Sequence, residues 1–285
     1  YEKIGSAQCK SAIMLAGLKS PGITNVKAKK SRDHTEILFK NLGIPTKVIK
    51  GKKYDYIQIK GEKNFSCFNY KIPGDISSCS FFLVLTLLSK DSKLIIKNVN
   101  INNTRTGIIK ILNRMNAKIL FKNKKKYKGE LISDIEVRSI TNIKSINCPP
   151  SLNSSAIDEF LVIFLVAAKA NGVSKFYDLD ELNKKESPRL DIAVNFLKMI
   201  GIKVIRNKND IKIFGNPDLN LSDNYYVKNF NKDHRIFMMS CVAALTYGGK
   251  WKINDRKSTY TSFPKFFKTI KSLGAKINWI KEKIF

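Results

Sequence analysis

Cysteine, histidine and acidic residues are all scarce in this 285-residue chain, and each scarcity excludes something. The five cysteines (Cys9, Cys67, Cys79, Cys148 and Cys241) lie far apart, with no C-x-x-C pair and only two histidines to assist them. A disulfide framework and a metal site are therefore not expected, and free thiols point to a reducing compartment. No uncharged apolar run reaches the ~18 residues of a membrane span. No secretory pattern precedes the first helix, because Tyr1-Glu2-Lys3 leads straight into it, so a cytoplasmic protein is expected. The initiator methionine is also missing, which marks a processed chain or a fragment of a longer protein.

Lys and Arg total 52 against 23 Asp and Glu, a net charge of +29. Such a balance suggests nucleic acid or an anionic membrane as partner. Yet 44 of the 52 cations are lysines, and Ile, Asn and Lys crowd the whole chain, a compositional bias more than a binding face. The one dense run, Lys122 to Lys128, is expected at a turn between two strands. No aromatic-basic stacking motif or recognition helix accompanies it. Nucleic-acid and membrane partners are not expected.

What is present is a repeat. An apolar helix, a β-rich stretch, and a second helix ending in Gly or Asn followed by a short strand recur four times. The second-helix copies run from Arg32 to Gly43, Arg105 to Asn116, Arg189 to Gly201 and Ser262 to Gly274, with caps 73, 85 and 73 residues apart. Gly and Asn tolerate the left-handed conformation at a helix C-terminus, so these caps mark helix ends. The pairs Lys47-Val48, Lys118-Ile119, Lys203-Val204 and Lys276-Ile277 are expected to begin strands. The period fits a βαβ-type unit. The first helices, Ala7 to Leu18, Ser78 to Leu88, Ile157 to Ala170 and Ile236 to Thr246, are apolar nearly all round and are expected to be buried. With 43% apolar residues, the chain can bury a large core and form more than one domain.

Three polar clusters interrupt these apolar runs: Asp158-Glu159, Lys185-Glu186-Ser187-Pro188-Arg189 and Asp233-His234-Arg235. Arginine forks suit a carboxylate or phosphate, and carboxylates and lysine in a desolvated cleft suit proton transfer. Singly, such clusters serve as caps and solvated turns. Their recurrence at matching points of a repeat favours an enzyme acting on anions.

Eight motifs occur in order: Ser6-Ala-Gln-Cys-Lys, Ser31-Arg-Asp-His-Thr-Glu36, Pro73-Gly-Asp-Ile-Ser-Ser78, Asn103-Thr-Arg-Thr-Gly107, Ile157-Asp-Glu-Phe160, Lys185-Glu-Ser-Pro-Arg189, Asp233-His-Arg-Ile236 and Thr261-Ser-Phe-Pro264. Through them the chain resembles the 5-enolpyruvylshikimate-3-phosphate (EPSP) synthases over its whole length. The Ser-Ala-Gln and Arg-Asp-His-Thr-Glu forms resemble the glyphosate-insensitive branch. The resemblance implies an α/β fold of repeated βαβαββ units in two similar domains, with four of six units here. Residues 1–71 would be the last unit of one domain and residues 72–285 the three-unit C-terminal domain. The chain would cross between them near Ile72-Pro73-Gly74, where Pro and Gly suit a rigid turn.

The reaction implied is transfer of the enolpyruvyl group of phosphoenolpyruvate to the 5-hydroxyl of shikimate 3-phosphate, without metal or cofactor, by a protein monomeric when full length. Carried over residue by residue, the resemblance makes Asp158 the base at the shikimate hydroxyl, and Lys185 and Glu186 the proton donor and acceptor at the reacting centre. It places Arg189 and Arg235 on phosphoenolpyruvate, and Ser6, Ala7, Gln8 and Arg32 at the shikimate phosphate. Two departures stand out. Pro188 replaces the family's usual Asp, with Ser187 expected as the N-cap of the following helix, and Phe237 replaces a small residue beside Arg235. The family's N-terminal Lys-Ser and Arg, its glycine-rich loop and a further arginine of the phosphoenolpyruvate site would lie upstream of Tyr1. UDP-N-acetylglucosamine enolpyruvyl transferase shares fold and chemistry, but the Lys-Glu-Ser and Asp-His-Arg motifs favour the shikimate enzyme.

Overall fold

The computed structural model describes residues 1–61 and 66–278. The repeat is visible as four units. The first holds α1 (Ala7–Lys19), β1 (Ile23–Lys29), α2 (His34–Asn41), β2 (Thr46–Lys50) and β3 (Tyr54–Lys60). The second holds α3 (Ile76–Leu88), β4 (Lys93–Asn100), α4 (Gly107–Arg114), β5 (Leu120–Tyr127) and β6 (Glu130–Arg138). The third holds α5 (Asn153–Ala156), α6 (Phe160–Ala168), β7 (Val173–Phe176), α7 (Arg189–Met199), β8 (Val204–Asn207) and β9 (Asp210–Phe214). The fourth holds β10 (Leu221–Val227), α8 (His234–Thr246), β11 (Gly248–Ile253) and α9 (Phe266–Ser272).

In each of the first three units the last strand lies in the middle of an antiparallel sheet, in the orders β1-β3-β2, β4-β6-β5 and β7-β9-β8. Ahead of the first helix an extended segment bridges in parallel to the strand that follows it: Glu2 to Ala28, Gly74 to Val99, Asn147 to Lys175. In the fourth unit this lead-in is a full strand, β10, parallel to β11. The first three units thus each show the expected βαβαββ pattern, and the described part of the fourth follows it as far as α9.

The four cap positions adopt the left-handed conformation, with φ of 73° at Gly43, 79° at Asn116, 77° at Gly201 and 96° at Gly274. Lys47-Val48 falls inside β2, Val204 opens β8, and Lys118-Ile119 directly precedes β5. Lys276-Ile277 lies in no strand, and the residues from 279 onward are outside the described ones. The basic run departs from expectation. Most of it lies within β5, and the turn falls at Lys128-Gly129. Lysines suit this exposed outer strand because their charge repels further strand pairing, and Lys122 pairs with Glu136 of the neighbouring β6.

Among the described residues two separate cores form. One gathers Met14, Leu18, Val26, Ala28, Phe39, Ile44, Ile57 and Ile59 of the first unit. The other runs from Ile76 to Ile270 and joins the remaining three units. In this larger lobe α3, α6 and α8 pack on one another. All nine residues of α6 are buried, and each buried Leu, Ile, Val or Phe contributes roughly 1.5–3 kcal/mol. Burial of the first helices holds for these three and fails for α1. That helix buries only Lys10, Met14, Gly17 and Leu18 and leaves Ile13 and Leu15 exposed. The reason is packing: α1 rests on β1 and β3 of its own sheet, whereas the three helices of the larger lobe cover one another.

Candidate active site

The first turns of the helices in the larger lobe supply the polar groups at the lobe junction. Asp158 sits in the three-residue turn between α5 and α6. The helix leading into that turn, α5, is closely approached by the start of α4: a Cβ on Gly107 would lie 2.7 Å from the carbonyl carbon of Ser155 and 2.8 Å from the nitrogen of Ala156. Only glycine lets α4 start so near α5. Asp158 caps nothing. The N-cap position of α6 is Glu159, whose side chain makes no capping bond.

The Asp158 carboxylate is ringed by cations. Arg32 reaches it from the smaller lobe and forms a direct ion pair with Oδ2. Arg235 Nη2 lies 3.8 Å from Oδ2, Arg189 Nη1 3.6 Å from Oδ1 and Lys185 Nζ 3.9 Å from Oδ1. Arg235 also donates through Nη1 to the Asp158 carbonyl at 3.0 Å. The Asp158 side chain is 11% exposed. Burial disfavours its charge, but Arg235, Arg32, Lys185 and Arg189 outweigh burial and hold the carboxyl well below the usual carboxylate range. One residue on, the opposite holds: burial raises Glu159, with the negative Asp158 adding to the effect.

Arg189 is fully buried and held from three sides. Its Nε donates to Asp233 Oδ2 at 2.8 Å, Nη2 pairs with Glu186, and Nη1 faces Asp158. Asp233 also accepts the Ser187 hydroxyl at 2.8 Å and, as N-cap of α8, the Arg235 N–H at 2.9 Å. Although burial opposes its charge, the Arg189 bond and charge lower its pKa. Ser187 is therefore not the cap of α7, contrary to expectation, because the buried Asp233 takes its hydroxyl. Pro188 occupies the N-cap position, and Asn183 Oδ1 caps from a distance, accepting Leu190 N–H at 2.9 Å and Asp191 N–H at 3.3 Å. Arg189 still projects into the junction. Lys185 divides itself between Glu181 at 2.7 Å and Asp158, while Glu186 is largely exposed and touches the cluster through Arg189. Phe237 is buried between the Phe230 and Phe267 rings, so its bulk enters the core of the larger lobe.

Ser6, Ala7 and Gln8 form the start of α1. Ser6 is its N-cap, accepting the Cys9 N–H at 3.2 Å, and the Gln8 side chain is exposed. This turn connects to the cluster through the buried Lys10, whose Nζ donates to the Arg32 carbonyl at 2.6 Å and pairs with Glu36 at 2.6 Å. Further bonds beside Arg32 join the lobes. Asn102 donates to Asp33 Oδ1 at 2.8 Å, and His34 Nδ1 lies 2.5 Å from Glu130 Oε1.

The structure thus brings Arg32, Asp158, Lys185, Arg189 and Arg235 together and attaches Glu186. It leaves Ser6 to Gln8 one step away. The sequence alone does not show Asp233 as the holder of Arg189, Asn183 as a cap, or Asp33 and His34 as lobe contacts. Asp33, His34 and Asp233 sit inside recognised motifs, Asp233 also in one of the polar clusters, whereas Asn183 carries no such signal. Among the described residues, no cluster of His, Cys, Asp and Glu suits a metal ion, and no helix is long and apolar enough to cross a membrane.

Comparison with known proteins agrees with the fold. The family described as EPSP synthase (3-phosphoshikimate 1-carboxyvinyltransferase) matches residues 1–270. The 3-phosphoshikimate 1-carboxyvinyltransferase of Zymomonas mobilis is 37% identical over 275 residues, 95% of this chain and 60% of the relative. The solved EPSP synthase from Acinetobacter baumannii superposes with a TM-score of 0.85 at 31% identity, covering 99% of this chain and 63% of that one. The enolpyruvyl transferase NikO from Streptomyces tendae shares the fold, with a TM-score of 0.68 at 15% identity over 93% of this chain and 58% of its own. The fold is that of the enolpyruvyl transferases. Within that class, the chain belongs to the EPSP synthase family. It spans about 60% of the length of the curated relatives it matches.

Proposed function

We propose that the protein carrying this chain transfers the enolpyruvyl group of phosphoenolpyruvate to the 5-hydroxyl of shikimate 3-phosphate and releases phosphate. The observation that carries this reading is that the Asp158 carboxylate is ringed by Arg32 of one lobe and Lys185, Arg189 and Arg235 of the other. A closed site for two anions needs several converging cations, and a base at the attacking hydroxyl needs a carboxylate among them.

In this reading addition places the hydroxyl oxygen on C2 of phosphoenolpyruvate and a proton on C3. Elimination then removes a proton from C3 and expels phosphate from C2. Asp158 takes the hydroxyl proton, and Lys185 and Glu186 deliver and remove the C3 proton. Arg189, locked by Asp233, and Arg235 hold phosphoenolpyruvate. Ser6, Ala7, Gln8 and Arg32 hold the phosphate of shikimate 3-phosphate. Residues 1–71 and 72–285 act as the facing walls, the last unit of one domain and a three-unit domain. The protein works in the cytoplasm, as its free thiols suggest, and as a monomer when full length.

The test is phosphate release by the full-length protein. Release requiring both phosphoenolpyruvate and shikimate 3-phosphate supports the reading. Release with UDP-N-acetylglucosamine in place of shikimate 3-phosphate, or none with either acceptor, overturns it.

A further inference from the structure

Glu159 follows Asp158 in the same turn, yet its side chain leaves in another direction. It is 3% exposed, and its Oε1 accepts the hydroxyl of Ser77 in the first turn of α3. Ser77 Oγ in turn accepts from Arg105 Nη2 at 2.7 Å, and the same nitrogen donates to Asp75 Oδ1 at 2.7 Å. A chain of donation therefore runs from guanidinium to hydroxyl to carboxylate. It crosses from the loop before α4, over the start of α3, to the turn before α6. Each bond polarises the next.

Burying a carboxyl costs free energy unless its bonds are met. The helices do not need this group to adhere, since α3 and α6 already pack through apolar residues such as Phe81, Leu83 and Val84 in one and Phe160 to Ala168 in the other. What the chain of bonds adds is orientation. The Ile157–Glu159 turn is short, and Asp158 is held by Arg235 on one flank and by Arg32 from the opposite lobe. Glu159 supplies the anchor on the other flank. Two consecutive carboxylates therefore divide the work, one facing the cations of the junction and one tied to α3.

We infer that Glu159 is a positioning residue, fixing the Ile157–Glu159 turn through Ser77 and Arg105 so that the Asp158 carboxylate faces Arg32. The inference rests on the proposed function and adds to it residues that touch no substrate.

Three variants of the full-length protein test it: Glu159→Leu, Ser77→Ala and Glu159→Gln. The first two remove the bond, and the third keeps an Oε1 acceptor for Ser77. Glu159→Leu and Ser77→Ala are expected to lower kcat about 10- to 100-fold, the cost of a small misplacement, with little change in either Michaelis constant. Glu159→Gln is expected to restore most of the turnover. Crystal structures of the first two variants should show the Asp158 carboxylate shifted away from Arg32 and Arg235. If Glu159→Leu fails to fold, Ser77→Ala removes the same bond with little change of volume. Asp158 unmoved in the variants, or Glu159→Gln as damaging as Glu159→Leu, overturns the inference. If the unsubstituted protein turns nothing over, the proposed function falls, and the position of Asp158 in the variant structures decides the positioning role by itself.

Discussion

Arg32 and Asp158, 126 residues apart in the chain, form an ion pair across the junction of two lobes that have separate cores. Asp158 is at the same time the shared counter-charge of Lys185, Arg189 and Arg235. One carboxylate therefore joins the lobes and holds together the cations of the site.

The acid stability of the chain follows. The folded-state pKa of Asp158 lies below the unfolded value of about 3.9. Its contribution to stability is fully present above that unfolded value and is lost as pH falls through the folded one. The parent is expected to melt several degrees above Asp158→Asn at pH 7. The gap should close as pH drops from about 4 toward 2. Thermal scans across this range check it, and a gap independent of pH would contradict the assignment.

Asp233 orders Arg189 and does not itself face the substrates in this account. Asp233→Asn keeps a capping oxygen for α8 but weakens the charge-assisted bond to Arg189 Nε. The Michaelis constant for phosphoenolpyruvate should rise about tenfold or more, with that for shikimate 3-phosphate much less affected. Steady-state kinetics on the full-length protein reads this directly.

Lys10 and Glu36 make a buried pair in the smaller lobe, with side chains 1% and 5% exposed. Removing one partner strands the other charge. Lys10→Met is expected to cost about 3–5 kcal/mol in denaturant unfolding, and Lys10→Met with Glu36→Leu markedly less. Equal losses in the single and double variants would show that the pair's packing, and not its charge, supports α1.

Thiol reactivity should divide the cysteines. Cys9 and Cys67 are exposed, while Cys79, Cys148 and Cys241 are buried. Burial pushes the Cys148 thiol up to about 11 and the other two higher still. A thiol reagent at pH 8 should label two groups quickly and the other three only on unfolding.

What was legible in the sequence was local chemistry. Gly43, Asn116, Gly201 and Gly274 announce helix ends because the left-handed conformation after a helix selects them by backbone sterics alone, and their regular recurrence reveals the units. Asp158, Arg189 and Arg235 were found through ordered motifs, each read from a few neighbouring residues. The partnerships were not legible. Ser187 to Asp233 spans 46 positions and Ser77 to Glu159 spans 82, and such pairs are chosen by how helices pack. Ser187-Pro188 reads as a cap and a first helical residue until a buried carboxylate claims the hydroxyl. The exposure of α1 is not legible for a similar reason, since an apolar helix is covered only where neighbours exist to cover it.

The most direct measurement is phosphate release from phosphoenolpyruvate and shikimate 3-phosphate by the full-length Asp158→Asn protein. Asn keeps the shape of the side chain but cannot take the hydroxyl proton. Turnover is expected to fall roughly 10²–10⁴-fold relative to the parent, with shikimate 3-phosphate still bound. Turnover near that of the parent would remove Asp158 as the base and overturn the proposed mechanism.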